Sequence, residues 1–234
     1  MVTCLARDTD KEWHRRDGPT RDRLITPDLA VSAPLDLGGY DLFNHYLRID
    51  GAPHLYFLQA TPPRTDWDRR PRQHAVRDKW ICRIDPDSLR IERLFPLEWD
   101  PARNGQLVRA CGTYVRDEHG EALILACCIQ HPRVSRSVEA RIVRRRLDDG
   151  HTRWTAVFDS QITALVHLPA AGAVVFALTG GQLGVLDART GALLDLQQVA
   201  VAGTASLALV LAGWGNQVAA GLVDGRLVLY ECRR

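Results

Sequence analysis

Two runs near the C-terminus constrain this 234-residue chain most: residues 160–186 and 196–223 contain no Asp, Glu, Lys or Arg. Each exceeds the roughly 20 apolar residues that a membrane helix needs. Yet Gln161, His167, Pro169 and Gly180-Gly181 interrupt the first. Gln197, Gln198, Gly203 and the segment Gly213-Trp214-Gly215-Asn216-Gln217 interrupt the second. The pieces left between these breaks are about six to eight residues long, the length of buried strands. Polar breaks inside a lipid-facing helix are costly. The runs are therefore read as buried β-strands, not as membrane spans.

The first run and its continuation divide into strands over 162–168, 173–178, 183–187 and 192–199. Turns fall at 169–172, at Gly180-Gly181 and at Ala188-Arg189-Thr190-Gly191, where glycine suits a positive φ. Four short strands joined by tight turns form one antiparallel meander. The next segment repeats the pattern over 206–211, 217–223 and 226–232, with Ala212 to Asn216 as one turn and the hairpin dipeptide Asp224-Gly225 as the other. It stops one strand short. Earlier strands are expected over 42–49, 54–60, 78–85 and 89–97, then over 106–115, 122–130, 138–147 and 152–158. The third strands then end near Asp85, Asp148, Asp187 and Glu231, which are 63, 39 and 44 residues apart. Two of these spacings fit a blade-like repeat of roughly 40–45 residues. Loop insertions, which are tolerated at small entropic penalty, account for the longer one. Residues 24–31 are expected to supply the missing strand of the last unit, because an open ring leaves unpaired sheet edges.

Residues 183–194 (LGVLDARTGALL) and 225–231 (GRLVLYE) resemble third strands and following turns of WD40-like and quinoprotein-type β-propeller repeats. The resemblance implies an all-β, β-propeller-like fold. About four blades of four-stranded antiparallel meanders are expected, as a small ring or as a partial ring completed by a partner chain.

In domain terms, the reading is a charged flexible arm over 1–23, in which eleven residues are Asp, Glu, Lys or Arg, followed by one propeller-like domain over 24–234. A Pro- and Arg-rich loop is inserted at 61–78. The net charge of +2 demands neither nucleic acid nor an acidic membrane. The six cysteines have no disulfide-module spacing, and the N-terminus has no apolar signal core. A cytoplasmic protein with reduced thiols is expected.

Chemistry-bearing motifs are scarce. Cys111, His119, Cys127, Cys128 and His131 cluster in sequence, but without a Cys-x2-Cys pair, and neighbouring Cys127 and Cys128 would face opposite sides of a strand. They read as small core residues. No nucleophile elbow, zincin helix or phosphate loop is present. Gly180 to Gly184 lies between strands, with no helix to follow. No catalytic, cofactor or metal residue is therefore assigned.

The loop 61–78 offers Arg64, Trp67, Arg69, Arg70 and Arg72 as candidate contacts for a partner, since function often sits on long loops. Arg141, Arg144, Arg145 and Arg146 lie between Glu139 and Asp148-Asp149 and read as paired surface charge. These observations favour a non-catalytic protein–protein interaction or scaffolding module, a subunit of a larger hetero- or homo-oligomer. The alternatives are an enzyme or small-ligand receptor with a site in the propeller channel, and nucleic-acid binding through the arginine-rich loops.

Overall fold

The computed structural model describes residues 4–7, 22–25, 28–35, 46–60, 79–97, 106–130 and 138–232. The chain divides into two compact units, one of residues 1–48 and 53–106, the other of residues 49–52 and 107–234.

In the first unit, β1 (Cys4–Arg7) pairs antiparallel with β2 (Asp22–Ile25). A meander follows through β3 (Tyr46–Asp50), β4 (Leu55–Ala60), β5 (Lys79–Ile84) and β6 (Ile91–Pro96). Residues Phe57, Cys82 and Ile84 on one face of this meander pack with Leu24 and Leu35. Residues 24–31 were expected to complete the last blade, and they do not. Leu24 is 1% exposed in the first unit's core. The segment beyond it folds back on itself: Asp28 lies in a turn, Leu29 has a φ of 65°, and Ser32 exchanges hydrogen bonds with Leu24. Turn-forming residues inside the segment defeat a continuous strand. Part of the expected arm, Cys4–Arg7, is likewise a strand.

The second unit contains a meander of β7 (Gln106–Asp117), β8 (Gly120–Gln130), β9 (Val138–Arg146) and β10 (Thr152–Phe158). Next comes a meander of β11 (Ile162–Leu168), β12 (Ala173–Leu178), β13 (Gln182–Asp187) and β14 (Leu193–Gln198). A small hairpin, β15 (Ala200–Val201) and β16 (Thr204–Ala205), leads to a three-stranded sheet of β17 (Ala208–Trp214), β18 (Gln217–Leu222) and β19 (Leu227–Glu231). The hairpin is absent from the sequence reading. Its turn uses Ala202 and Gly203, both with positive φ, in the manner of a two-residue hairpin loop.

The architecture is therefore all-β and propeller-like, with four blade-like meanders, the last of them three-stranded among the described residues. Within the second unit the blades stack face to face. Ile124, Ala126, Cys128, Ala140 and Ile142 of the β7–β10 sheet meet Leu165, Val174, Phe176 and Leu186 of the β11–β14 sheet. The other face of β11–β14, through Val166, Leu168, Val175, Ala177 and Leu183, meets Leu211, Val218, Ala220 and Leu222 of the last sheet. This double burial explains why β12 is apolar at every position, where a half-exposed strand would alternate.

One turn recurs at the end of three third strands. Asp85, Arg146 and Asp187 each donate their amide to the carbonyl five residues on, and each carbonyl accepts from the amide four residues on. The residue at that fourth position, Leu89, Gly150 or Gly191, has positive φ. The repeat is thus anchored at Asp85, Arg146 and Asp187, spaced 61 and 41 residues apart, not at Asp148 as the sequence suggested. Gly213 also departs from its expected turn: it lies within β17. A Cβ there would come within 2.5 Å of Leu168 Cδ2, so glycine serves close approach of two sheets.

Candidate interaction surface

The sequence-derived contact residues Arg64, Trp67, Arg69, Arg70 and Arg72 lie outside the described residues. Of the cysteine and histidine cluster, Cys111 is in β7 and Cys127 and Cys128 are in β8, while His131 lies outside the described residues. The Cys128 thiol points into the inter-sheet core, where its sulfur accepts from the Ile162 amide at 3.2 Å. Among the described residues, no group of three or more His, Cys, Asp or Glu side chains is placed to hold a metal ion.

The arginine stretch of β9 is split by the pleat and by register. Arg141 pairs with Glu139, and Arg146 with Asp148 and Asp149, near the surface as expected. Arg144 and Arg145 are instead buried, at 2% and 4% exposure. Arg145 donates to the Gly150 carbonyl at 2.7 Å, closing the repeated turn. Arg144 donates through one terminal nitrogen to the Ala188 carbonyl at 3.0 Å and through the other to Asp117 Oδ2 at 2.7 Å. Trp154 Nε1 donates to the same Ala188 carbonyl at 3.1 Å. Burial alone would raise the Asp117 carboxyl. The Arg144 hydrogen bond, the His119 amide and the neighbouring positive charge outweigh it and hold the group below the ordinary carboxylate range.

This node joins the β7–β10 sheet to the turn after β13. The next pair of sheets has its own polar tie: the buried Thr163 hydroxyl on β11 reaches the Ala208 carbonyl of β17 at 2.6 Å. Both ties satisfy polar groups that sheet stacking takes out of water. Each joins one sheet to the next through a side chain and a backbone carbonyl.

The last sheet carries the distinctive surface. Cross-strand register places Val210, Gly221 and Leu227 in one row of its outward face, and Ala212, Ala219 and Leu229 in the next. Leu227 is 78% exposed, Leu229 66% and Val210 52%. None of these six residues is charged, whereas the third row of the same face is Trp214–Gln217–Glu231 and ends in an exposed carboxylate. At their rim, Asp224 and Arg226 form an ion pair at 2.6 Å. The opposite face of the same sheet is the buried one, with Val218, Ala220 and Leu222. A solvated sheet face normally carries polar residues, and a contiguous apolar face marks an interaction site. The sequence held the signal: Leu227-Val228-Leu229-Tyr230 does not alternate, so both faces of β19 are apolar. On β14, Leu193, Leu194 and Leu196 are also exposed, at 51%, 58% and 39%.

Comparison with known proteins concerns the fold. The computationally designed Ika8 protein superposes with a TM-score of 0.52 and 14% identity, over 92% of this chain and 53% of that one. Sqt1 of Saccharomyces cerevisiae, a WD40/β-propeller protein, gives 0.51 and 15%, over 92% of this chain and 55% of that one. The chain spans about half the length of these two structures. No family model matches it, and no curated protein does. None of the described helices is long and apolar enough to cross a membrane.

Proposed function

We propose that this chain is a non-catalytic protein–protein interaction module, acting as a cytoplasmic subunit of a larger assembly. The observation that carries this reading is the pair of apolar, largely exposed rows Val210–Gly221–Leu227 and Ala212–Ala219–Leu229 on the β17–β19 sheet, beside an inward face of similar chemistry that packs in the core. Exposing such a face to water opposes folding and solubility unless something covers it. Propeller blades present faces and rims without needing a catalytic group. The loop 61–78, with Arg64, Trp67, Arg69, Arg70 and Arg72, is proposed as a second contact on the strength of its sequence alone.

The test is affinity capture from the native host with three baits: the wild-type chain, Leu229→Lys, and a deletion of 61–78. Quantitative mass spectrometry should show specific proteins enriched by wild type and lost with one of the two altered baits. A wild-type bait that enriches nothing, or two altered baits that keep every enriched protein, overturns the reading.

A further inference from the structure

We propose that Asp195 keeps the open edge of β14 closed to strand pairing: its carboxylate holds the backbone amide through which a second copy of this chain would add to the sheet. This edge belongs to a different sheet from the face that carries the proposed function, so the two stand or fall separately.

β14 is the last strand of the β11–β14 sheet, and all six of its residues are exposed. Its sequence, Leu-Leu-Asp-Leu-Gln-Gln, contains three exposed leucines and neither proline nor lysine. An exposed apolar edge strand is a template for adding another chain, and proteins that carry one blunt it with bulges or charge. β14 has both. Its register slips between Asp195, opposite Val185, and Leu193, opposite Leu186, which leaves Leu194 as the extra residue of a bulge. Asp195 is its one charged residue.

Backbone direction decides what that charge does. The Val199 amide donates to the Gly181 carbonyl, and the Asp187 amide to the Ala192 carbonyl. Ladder bonds in an antiparallel pair alternate, so Gln197 and Asp195 also turn their backbone groups towards β13, opposite Leu183 and Val185. Leu196 and Gln198 turn theirs to the open side. The Leu196 amide is the one that Asp195 takes: it donates to Asp195 Oδ1 at 2.8 Å, while Oδ2 accepts from Gln197 Nε2 at 2.6 Å. The carboxylate therefore stands on the open edge, with one oxygen where the carbonyl of an added strand would have to come.

A second copy meets this obstacle twice. Two β14 strands meeting antiparallel about a two-fold axis at Leu196 would exchange both backbone bonds of that residue. Each Leu196 amide would first have to leave a charge-assisted hydrogen bond, and two carboxylates would be brought to one seam. The leucines on either side favour the contact, and the carboxylate opposes it.

Sedimentation velocity of the full chain over roughly 1 to 200 µM, the range in which weak association populates, tests this. Asp195→Ala, which removes the acceptor, should associate at least about tenfold more tightly than wild type. Asp195→Asn keeps an oxygen able to accept from the same amide and should stay closer to wild type than to Asp195→Ala. Adding Leu196→Pro to Asp195→Ala removes the outward amide itself and should return association to the wild-type level. In wild type, hydrogen exchange followed by NMR should find the Leu196 amide slower than in an unfolded peptide, although it lies on an exposed edge. Circular dichroism identifies any variant that fails to fold, and if Asp195→Ala is one, the wild-type exchange rate decides. A folded Asp195→Ala that sediments like wild type, an Asp195→Asn that associates as strongly as Asp195→Ala, a double variant that still associates, or a Leu196 amide that exchanges at the unfolded rate overturns the proposal.

Discussion

Breaking the Arg144–Asp117 pair from its two ends should have unequal consequences. The Arg144 side chain is 3% exposed and that of Asp117 is 29% exposed. In Asp117→Ala, the guanidinium stays behind in the inter-sheet core with only the Ala188 carbonyl as partner. An uncompensated buried charge costs roughly 3–5 kcal/mol, and water reaching the Asp117 side places this case at about 3. In Arg144→Met, the apolar stem still fills the space and the carboxylate can rehydrate. The Ala188 carbonyl keeps its bond from Trp154 Nε1 at 3.1 Å, so a loss of about 1 kcal/mol is expected. The double variant should then be more stable than Asp117→Ala alone, because the second substitution removes the stranded charge. Urea unfolding, followed by far-UV circular dichroism, measures all three midpoints. If Arg144→Met proves as damaging as Asp117→Ala, or if the two losses simply add, the asymmetry argument is wrong.

Three further outcomes are expected. Gly191→Ala places a side chain at φ +73° and its Cβ 2.6 Å from Trp154, whereas Gly225→Ala at φ +84° meets open space. Strain of about 1–2 kcal/mol applies to both, and overpacking of about 1–3 kcal/mol only to Gly191, so thermal melts should rank Gly191→Ala well below Gly225→Ala. His167 has its pKa lowered from 6.5 by burial and by Arg144, against the pull of Asp117. Its unfolded form therefore binds a proton first as pH falls, so stability is full above the unfolded value and declines below about 6.5. His167→Gln should flatten that part of the stability–pH curve, and an unchanged slope counts against the assignment. Cys82 is 0% exposed, and burial, partly offset by Arg93, pushes its thiol up to about 11. Native protein should leave Cys82 unlabelled by iodoacetamide near neutral pH while urea exposes it, as peptide mass spectrometry can read.

Much of the local structure was legible in the chain itself. Strands over 152–158, 162–168 and 173–178 fall where the apolar runs and turn residues place them. Asp187 to Gly191 closes its turn as its residue types require, with Asp187 Oδ1 accepting from the Arg189 and Thr190 amides. By contrast, neither Arg144 nor Leu24 announced its place. A charged residue on a strand faces water or core according to which sheet stacks on it, and neighbours in space from β7 and from the turn after β13 supply the partners of Arg144.

What the sequence determined by itself is therefore periodic and short-range: strand lengths, turns with their positive-φ residues, and the all-β class, because these depend on backbone sterics and on neighbours a few residues away. What only the tertiary structure decided is which apolar face ends up covered. Val218 and Leu229 lie in neighbouring strands of one sheet and are equally apolar, yet one is 1% exposed and the other 66%. Burial is a property of stacking between segments far apart in the chain, and no local pattern encodes which side the next sheet will take.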